Sequence, residues 1–448
     1  MLAVFEFLLA ALSFYISAWV VSSGDLGYAR SLEGPLAPRA ALLGALIVTG
    51  IAATGLYDIQ QRLRFAGVWV RLIVGIGFAA IGLAVIGLLL PVVHRRALWL
   101  FALIVASVLI AALRYCFPLL LNPELFRRRV LVYGAGRRAS SLLELRRRSD
   151  QRGFRIVAFL PADGDTIRLE DERVAAADLS LVDLAEQLDV TEIVVAMDDR
   201  RQGFPVRELL ECKLSGINVV DLVPFLERET GRVKVELVHP GWIIFSEGFV
   251  HASKRRIVAR VFDLIMSVGL LILTLPLMAA VCLAILLEDG RPLRFKQRRV
   301  GLMGKPFTLY KFRSMRKDAE ADGGARWAQA DDVRITRVGR IIRKFRFDEL
   351  PQLVNVIRGD MSFVGPRPER PEFVAELAEK IPYYHERHYV KPGLTGWAQL
   401  SYPYGASEKD ALEKLQYDLY YVKNRSLIFD LVILLQTAEV IVWRKGSR

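Results

Sequence analysis

The chain has 448 residues, which at about 150 residues per domain points to roughly three folding units. Hydrophobic residues make up 53% and charged residues 24%, with a mean hydropathy of +0.30, which excludes a disordered chain and stands high for a purely soluble one. With 61 Lys plus Arg against 48 Asp plus Glu the formal charge is +13, which suits anionic lipid headgroups, nucleic acid or phosphorylated substrates, while the three scattered cysteines argue against a disulfide framework or a zinc site.

Four apolar stretches, at about residues 3–21, 40–56, 72–91 and 97–121, fill the first quarter and predict a four-helix transmembrane region over 1–123. The first stretch has no basic n-region and no cleavage site, so it reads as a retained helix rather than a signal peptide. Arg62, Arg64 and Arg71 lie in the second connection and Arg127, Arg128 and Arg129 follow the fourth stretch. The other two connections carry Arg30, Arg39, Arg95 and Arg96. This bias favours a cytoplasmic N-terminus and a cytoplasmic remainder. Glu6 and Arg114 then fall toward the same leaflet, either paired or snorkelling separately to the headgroups.

Residues 124–250 alternate short apolar runs with helical periodicity and read as a Rossmann-like α/β domain with a parallel, doubly wound sheet. Strands are expected at 129–133, 155–160, 192–197 and 218–222, with helices at 140–149 and 206–215. Gly134 and Gly136 form a glycine turn between the first strand and its helix, a context in which backbone N–H groups hold a pyrophosphate. Ala139 replaces a third glycine, and the candidate ribose acid, Asp163 or Asp165, falls in a loop, so the turn reads equally as a structural one.

A fifth apolar stretch, 257–287, carries Pro276 at its centre. Each half is about 12 residues, or ~18 Å, too short to cross a bilayer alone. Lys254, Arg255, Arg256 and Arg260 precede the stretch, and Arg291, Arg294, Lys296, Arg298 and Arg299 follow it. Basic clusters at both ends predict a helix, a break at Pro276, and a second helix returning to the same face; a kinked spanning helix is the alternative.

The remainder is dense in Arg, aromatic residues and Gly-Pro punctuation. Its blocks are Arg294 to Gly301 with Tyr310 to Met315, Arg346 to Leu353, Gly359 to Glu369, and Arg387 to Trp397. Cations and glycines beside the adjacent carboxylates Asp348 and Glu349 suggest phosphate handling at a bilayer surface, because Arg offers planar forks to phosphate oxygens and a carboxylate holds a hard cation or attacks phosphorus. Each piece also has a plain reading. Asp348 is placed to cap the helix that begins near Leu350, and Glu349 to meet its dipole. Arg313 and Arg367 fit a solvated face, His385 and His388 the surface, and Gly365 to Pro368 a rigid turn.

Taken together these blocks resemble the bacterial sugar transferases, the monotopic polyprenyl-phosphate phosphoglycosyl transferases, over about residues 254–445. The four spans and the α/β domain are similar to the long subgroup typified by undecaprenyl-phosphate glucose or galactose phosphotransferases, and to the branch of exosortase-associated exopolysaccharide clusters. The resemblance implies a mainly α phosphoglycosyl transferase domain over 251–448 with a re-entrant helix at about 257–287. It implies that Asp348 is the nucleophile and contacts Mg²⁺, supported by Glu349. Lys311, Arg313, Arg367, Glu369, Lys391 and Arg299 fall in blocks lining the phosphate and nucleotide site, and Pro276 matches the proline of the helix break. Some members have Ser before that proline, where this chain has Thr274 and Leu275.

The implied reaction takes a sugar 1-phosphate from a UDP-sugar to undecaprenyl phosphate with release of UMP. It would start exopolysaccharide synthesis on the cytoplasmic face of the bacterial inner membrane. Expected partners are the UDP-sugar, undecaprenyl phosphate, membrane lipids and a second copy of the chain in a homodimer, with no nucleic acid. Two rivals are a non-catalytic scaffold or regulator of polysaccharide synthesis and a membrane-anchored nucleotide-sugar epimerase or dehydratase. The second needs a Tyr four residues before a Lys, and no Lys in the sequence has one. A last apolar helix, about 427–443, reads either as lying on the membrane surface or as a buried core helix.

Overall fold

The computed structural model describes the chain except residues 1, 58–64, 90–95, 121–126, 146–149, 151–152, 164, 166–168, 170–172, 176–179, 202, 239–240, 242–244, 247, 250–252, 317–333, 403–404, 406 and 444–448. Arg62, Arg64, Arg95 and the end of the helix expected to reach 149 lie outside the described residues. The chain divides into two compact units, Met1–Thr230 and Gly231–Arg448.

The first unit opens with helices α1 (Leu2–Val21), α2 (Leu26–Glu33), α3 (Leu36–Ala53), α4 (Phe65–Leu89) and α5 (Arg96–Leu120). All of these except the short α2 are long and apolar enough to cross a membrane. α1 packs against α3 and α5 around Phe14, Ile47, Trp99 and Ile110, all almost fully buried. A Cβ on Gly50 would stand 2.2 Å from the carbonyl oxygen of Gly75, so glycines let α3 and α4 meet backbone to backbone. Of the two readings left open for Glu6 and Arg114, the structure shows the pair: Arg114 Nε lies 2.6 Å from Glu6 Oε1, and both side chains are buried. Tyr57 donates its hydroxyl to the same carboxylate, tying three segments together. A buried charge bound in this way avoids the cost of facing lipid alone.

An α/β region follows: β1 (Arg128–Tyr133), α6 (Arg137–Leu143), β2 (Phe154–Leu160), α7 (Leu181–Gln187), β3 (Glu192–Val195), α8 (Val206–Leu214), β4 (Asn218–Asp221) and α9 (Leu222–Thr230). The sheet is parallel in the order β2-β1-β3-β4, with Leu131 opposite Ile193 and Ile193 opposite Val219. Val130, Leu131, Ile193 and Val194 are fully buried, as expected for a parallel sheet covered by helices on both faces. Helix α6 ends at Leu143, short of the extent expected from the sequence.

The second unit is mainly helical and begins with α10 (Ser253–Asp289). It continues with β5 (Arg294–Val300), β6 (Pro306–Phe312), α11 (Arg337–Lys344), α12 (Gln352–Arg358), β7 (Ser362–Val364) and α13 (Pro371–Lys380). It closes with β8 (Gly393–Thr395), α14 (Trp397–Ser401), α15 (Glu408–Asn424) and α16 (Leu427–Trp443). β5 and β6 form an antiparallel pair, and β7 and β8 a parallel one. Val356, Met361, Tyr417, Tyr421 and Ile433 make the central core, so α16 contributes its inner side to the packing.

Contrary to the expected division into two helices, α10 runs without interruption through Pro276. Thr274 supports this passage by donating its hydroxyl to the Leu270 carbonyl oxygen at 2.7 Å, a bond back along the helix that accompanies bending rather than termination. One stripe of α10 is held by the rest of the unit from end to end. Arg260 donates to the Val356 and Ile357 carbonyl oxygens, each at 2.6 Å, and the buried Asp263 accepts from Ser362 Oγ and from the Phe363 N–H at 3.0 Å. Val281 and Ile285 are buried further along, and near the far end Glu288 accepts the first N–H groups of α11, those of Arg337 and Val338. The opposite stripe, with Ile257, Val261, Ile265, Val268, Ile272 and Leu275, is exposed and wholly apolar.

Candidate active site

Asp348 lies in a single tight turn, Phe347–Glu349, between α11 and α12. Arg346 opens the turn in the left-handed conformation (φ 57°), and Pro351 immediately precedes α12. Asp348 therefore does not cap α12, which starts after Pro351 without a side-chain cap. Asp348 as a whole is 9% exposed, and its carboxylate carries no hydrogen bond or ion pair among the described residues.

Glu349, its neighbour, is the opposite case. Its carboxylate meets Arg367 Nη2 at 3.1 Å, Lys311 Nζ at 3.2 Å and Arg346 Nη1 at 3.9 Å. Burial raises its pKa, but the charges of Lys311, Arg367 and Arg346 outweigh burial and hold it well below the usual carboxylate range. Burial also dominates at Asp348, and there it wins over the Lys311 charge, so that carboxyl lies above its usual value. Lys311 is lowered by burial, with Glu349 opposing and Arg367 adding to the effect. Two adjacent carboxyls thus have separate characters: one bare, one committed to holding two cations.

The strands explain where the cations come from. In the β5–β6 register Phe295 faces Lys311 and Arg299 faces Phe307, so Arg299 and Lys311 share one face. Asn355 on α12 accepts from the Tyr310 N–H at 3.1 Å and donates to the Thr308 carbonyl oxygen at 2.7 Å, fixing this strand pair against the helix that follows the two carboxylates. Arg299 reaches the Pro368 carbonyl oxygen at 3.1 Å and lies 3.5 Å from Glu369, which places both beside Arg367.

Of the residues expected to line the site, Lys311 and Arg367 meet Glu349 directly, Arg299 lies within electrostatic reach of Lys311, and Glu369 stands one step further out beside Arg299; Arg313 and Lys391 are held elsewhere. Arg313 is buried and donates to the carbonyl oxygens of Asp289 and Gly290 at 3.1 and 2.9 Å, closing the end of α10. Lys391 stands beside Arg260, Asp263 and Asp360, at the other end of α12. His388 is buried rather than on the surface, and burial together with the Arg387 charge lowers its pKa to about 3.

Two contributors escaped the sequence reading. Arg387, buried and paired with Asp418 at 2.8 Å, donates to the Arg367 carbonyl oxygen at 3.0 Å and so holds the loop that carries Arg367. A close crossing of β7 and β8 supports the same loop, where a Cβ on Gly393 would stand 2.1 Å from the Gly365 nitrogen. Arg387 lies inside a block singled out above, but its acidic partner is 31 positions away, and local spacing carries no sign of it.

The glycine turn of the first unit proves to be occupied by its own protein. Asp198 accepts from the Arg137 and Arg138 N–H groups, both at 2.8 Å, while Asp165 accepts from the Ala135 N–H at 2.7 Å. A Cβ on Gly136 would fall 2.1 Å from Asp198 Oδ2, so this glycine is needed to admit the carboxylate. The N–H groups of Gly134, Ala135, Arg137 and Arg138, which a pyrophosphate at this turn would use, are therefore spent, and Asp165 serves the turn instead of a ribose. The expected result is that the full-length protein shows no saturable NAD binding by calorimetry up to millimolar ligand; micromolar binding would contradict this geometry.

Among the described residues no three His, Cys, Asp or Glu side chains converge to form a closed metal cage. A bare Asp348 beside two phosphate-seeking cations instead suits Mg²⁺ held by one carboxylate and completed by substrate phosphates and water.

The bacterial sugar transferase pattern matches residues 254–444. The chain is 41% identical over 251 residues to a UDP-N-acetylgalactosamine-undecaprenyl-phosphate N-acetylgalactosaminephosphotransferase of Aeromonas hydrophila, covering 56% of this chain and 58% of that protein. It is 30% identical over 369 residues to an undecaprenyl-phosphate galactose phosphotransferase of Salmonella typhimurium, covering 79% of this chain and 76% of that protein. A UDP-glucose:undecaprenyl-phosphate glucose-1-phosphate transferase of Escherichia coli is 40% identical over 186 residues, covering 41% and 39% respectively. The long alignment to the Salmonella protein runs beyond the matched C-terminal region, and with it the chain belongs to the bacterial sugar transferase family.

Proposed function

We propose that the protein transfers a sugar 1-phosphate from a UDP-sugar to undecaprenyl phosphate, releasing UMP, as the initiating step of exopolysaccharide synthesis. The observation that carries this reading is the bare, buried Asp348 beside a Glu349 that holds Lys311 and Arg367. The names of the three relatives, each an undecaprenyl-phosphate sugar phosphotransferase, agree with it.

In the first step an Asp348 carboxylate oxygen attacks the β-phosphorus of the donor. The bond from that phosphorus to the bridging oxygen breaks, UMP leaves with both electrons, and a sugar phosphate remains on Asp348. In the second step an oxygen of the lipid phosphate attacks the same phosphorus, returns the carboxylate and gives the polyprenyl diphosphate sugar. Lys311 and Arg367 offset the charge on the diphosphate, and Glu349 keeps them in place without competing for phosphorus. Mg²⁺ at Asp348, when bound, would supply further charge neutralisation of the diphosphate oxygens.

The membrane arrangement follows from α10. Arg260 and Glu288 lie about 28 residues apart, some 42 Å along a helix, yet both bond to the same compact unit. A helix crossing the bilayer would carry its two ends to opposite sides, so this packing supports an unbroken helix that lies along the membrane face with its exposed apolar stripe toward lipid. With four N-terminal spans and a Rossmann-like domain ahead of it, the catalytic unit then faces the cytoplasm at the inner membrane, where nucleotide sugars are available. A panel of UDP-N-acetylgalactosamine, UDP-galactose and UDP-glucose, offered with undecaprenyl phosphate to protein in nanodiscs, should release UMP from one donor at least tenfold faster than from the others. No release from any UDP-sugar contradicts the reading.

A further inference from the structure

The geometry points to a second anion site, at the opposite end of α12 from Asp348, that binds the phosphate of a membrane lipid between Arg260 and Lys391. This inference rests on the membrane reading of α10 given above. Gly359 ends α12 in the left-handed conformation (φ 93°), and the Cβ it lacks would stand 3.5 Å from both Arg260 Nη2 and Lys391 Nζ. Both cationic ends therefore border the position that a side chain at 359 would take. Arg260 is oriented by its bonds to the Val356 and Ile357 carbonyl oxygens, which leave its charge without a carboxylate partner in those bonds. Lys391 is half buried and makes no hydrogen bond or ion pair among the described residues.

The nearest acids are already engaged: Asp263 accepts from Ser362 and the Phe363 N–H, and Asp360 accepts from Asn355 Nδ2 at 3.2 Å. Arg425, which also faces Lys391, is paired with Asp430 at 3.8 Å. Asp263 and Asp360 act on the Lys391 charge from a distance but neither bonds its ammonium, so a half-buried group that has lost hydration keeps donors that a phosphate oxygen would take up. The exposed apolar residues Ile257, Val258 and Val261 occupy the turn of α10 next to Arg260, so a ligand here is presented with cations and a lipid-facing surface together. α12 has seven residues, about 10 Å, between this space and the turn bearing Asp348. The second site is thus too far away for direct attack on a group held at Asp348. It seats a lipid headgroup, either the monoester of the polyprenyl acceptor before reaction or the diester of an anionic phospholipid.

Native mass spectrometry of the full-length protein in detergent tests this with polyprenyl monophosphate, phosphatidylglycerol, diacylglycerol and inorganic phosphate as separate probes. The expected result is retention of one or both phosphate lipids by the wild type, about tenfold weaker in Lys391→Gln and preserved in Lys391→Arg. A drop confined to polyprenyl phosphate assigns the site to the acceptor, and one confined to phosphatidylglycerol assigns it to the bilayer. Gly359→Asn tolerates the backbone conformation while placing a side chain beside both cations, and should weaken the same lipid although both charges remain. Equal retention by wild type and Lys391→Gln, equal retention of diacylglycerol, or binding of inorganic phosphate alone overturns the proposal. UMP release is measured on the same samples: an inactive wild type that still retains phosphate lipid counts against the transferase and leaves this site standing.

Discussion

Replacing Asp348 by Asn should reduce sugar phosphate transfer by about three orders of magnitude or more, with little loss of stability. The amide keeps the shape of the carboxylate but cannot attack phosphorus, and since Asp348 has no partner among the described residues, the exchange breaks no contact there. Glu349→Gln should behave differently. It keeps the turn but removes the charge that holds Lys311 and Arg367, so the loss is smaller, about ten- to a hundredfold, and includes a higher KM for the donor. Steady-state UMP release with thermal melts of both variants checks the contrast. Release of UMP by Asp348→Asn at the native rate would remove Asp348 from the chemistry.

Gly393→Ala should cause the largest structural damage. A Cβ there would lie 2.1 Å from the Gly365 nitrogen and 2.5 Å from the Thr395 carbonyl oxygen, both backbone atoms that no rotamer change can move. The strands must part. The Gly393 N–H bond to the Pro366 carbonyl oxygen and the Gly365 N–H bond to the Thr395 carbonyl oxygen are then strained together. The cost is about 3–5 kcal/mol, a fall of about 10 °C in the melting midpoint, with activity lost as the Arg367 loop shifts. Leu394→Ala, which trims a half-buried side chain without meeting backbone, is the control and should cost far less. Equal melting of Gly393→Ala and wild type would contradict the tight crossing.

The boundary between what the sequence revealed and what it hid follows the range of the interactions. The long apolar helices and the strands beginning at Arg128, Phe154, Glu192 and Asn218 were readable because hydrophobic periodicity is local. Asp348 and Glu349 were singled out through a family resemblance carried by ordered motifs. Their different characters were not visible, because Lys311 and Arg367 reach Glu349 from 38 and 18 positions away. The same holds for the glycine turn, where local pattern suggested a phosphate site and Asp198, 61 residues beyond Arg137, fills it. Pro276 was read by its effect on an isolated helix; in the protein, packing along one stripe of α10 carries the helix past it. Arg313 and Lys391 were grouped with the site because they share its blocks, and only the fold separates them from it.

The central claim is that Asp348 carries the sugar phosphate between two half-reactions. Incubating purified protein with its UDP-sugar in the absence of lipid phosphate, then measuring intact mass and the peptide containing Asp348, tests it most directly. The expected result is a mass increase of one sugar phosphate on Asp348, formed with an equal amount of UMP, discharged by undecaprenyl phosphate and absent from Asp348→Asn. UMP formed only when both substrates are present, with no adduct at any time, would contradict it.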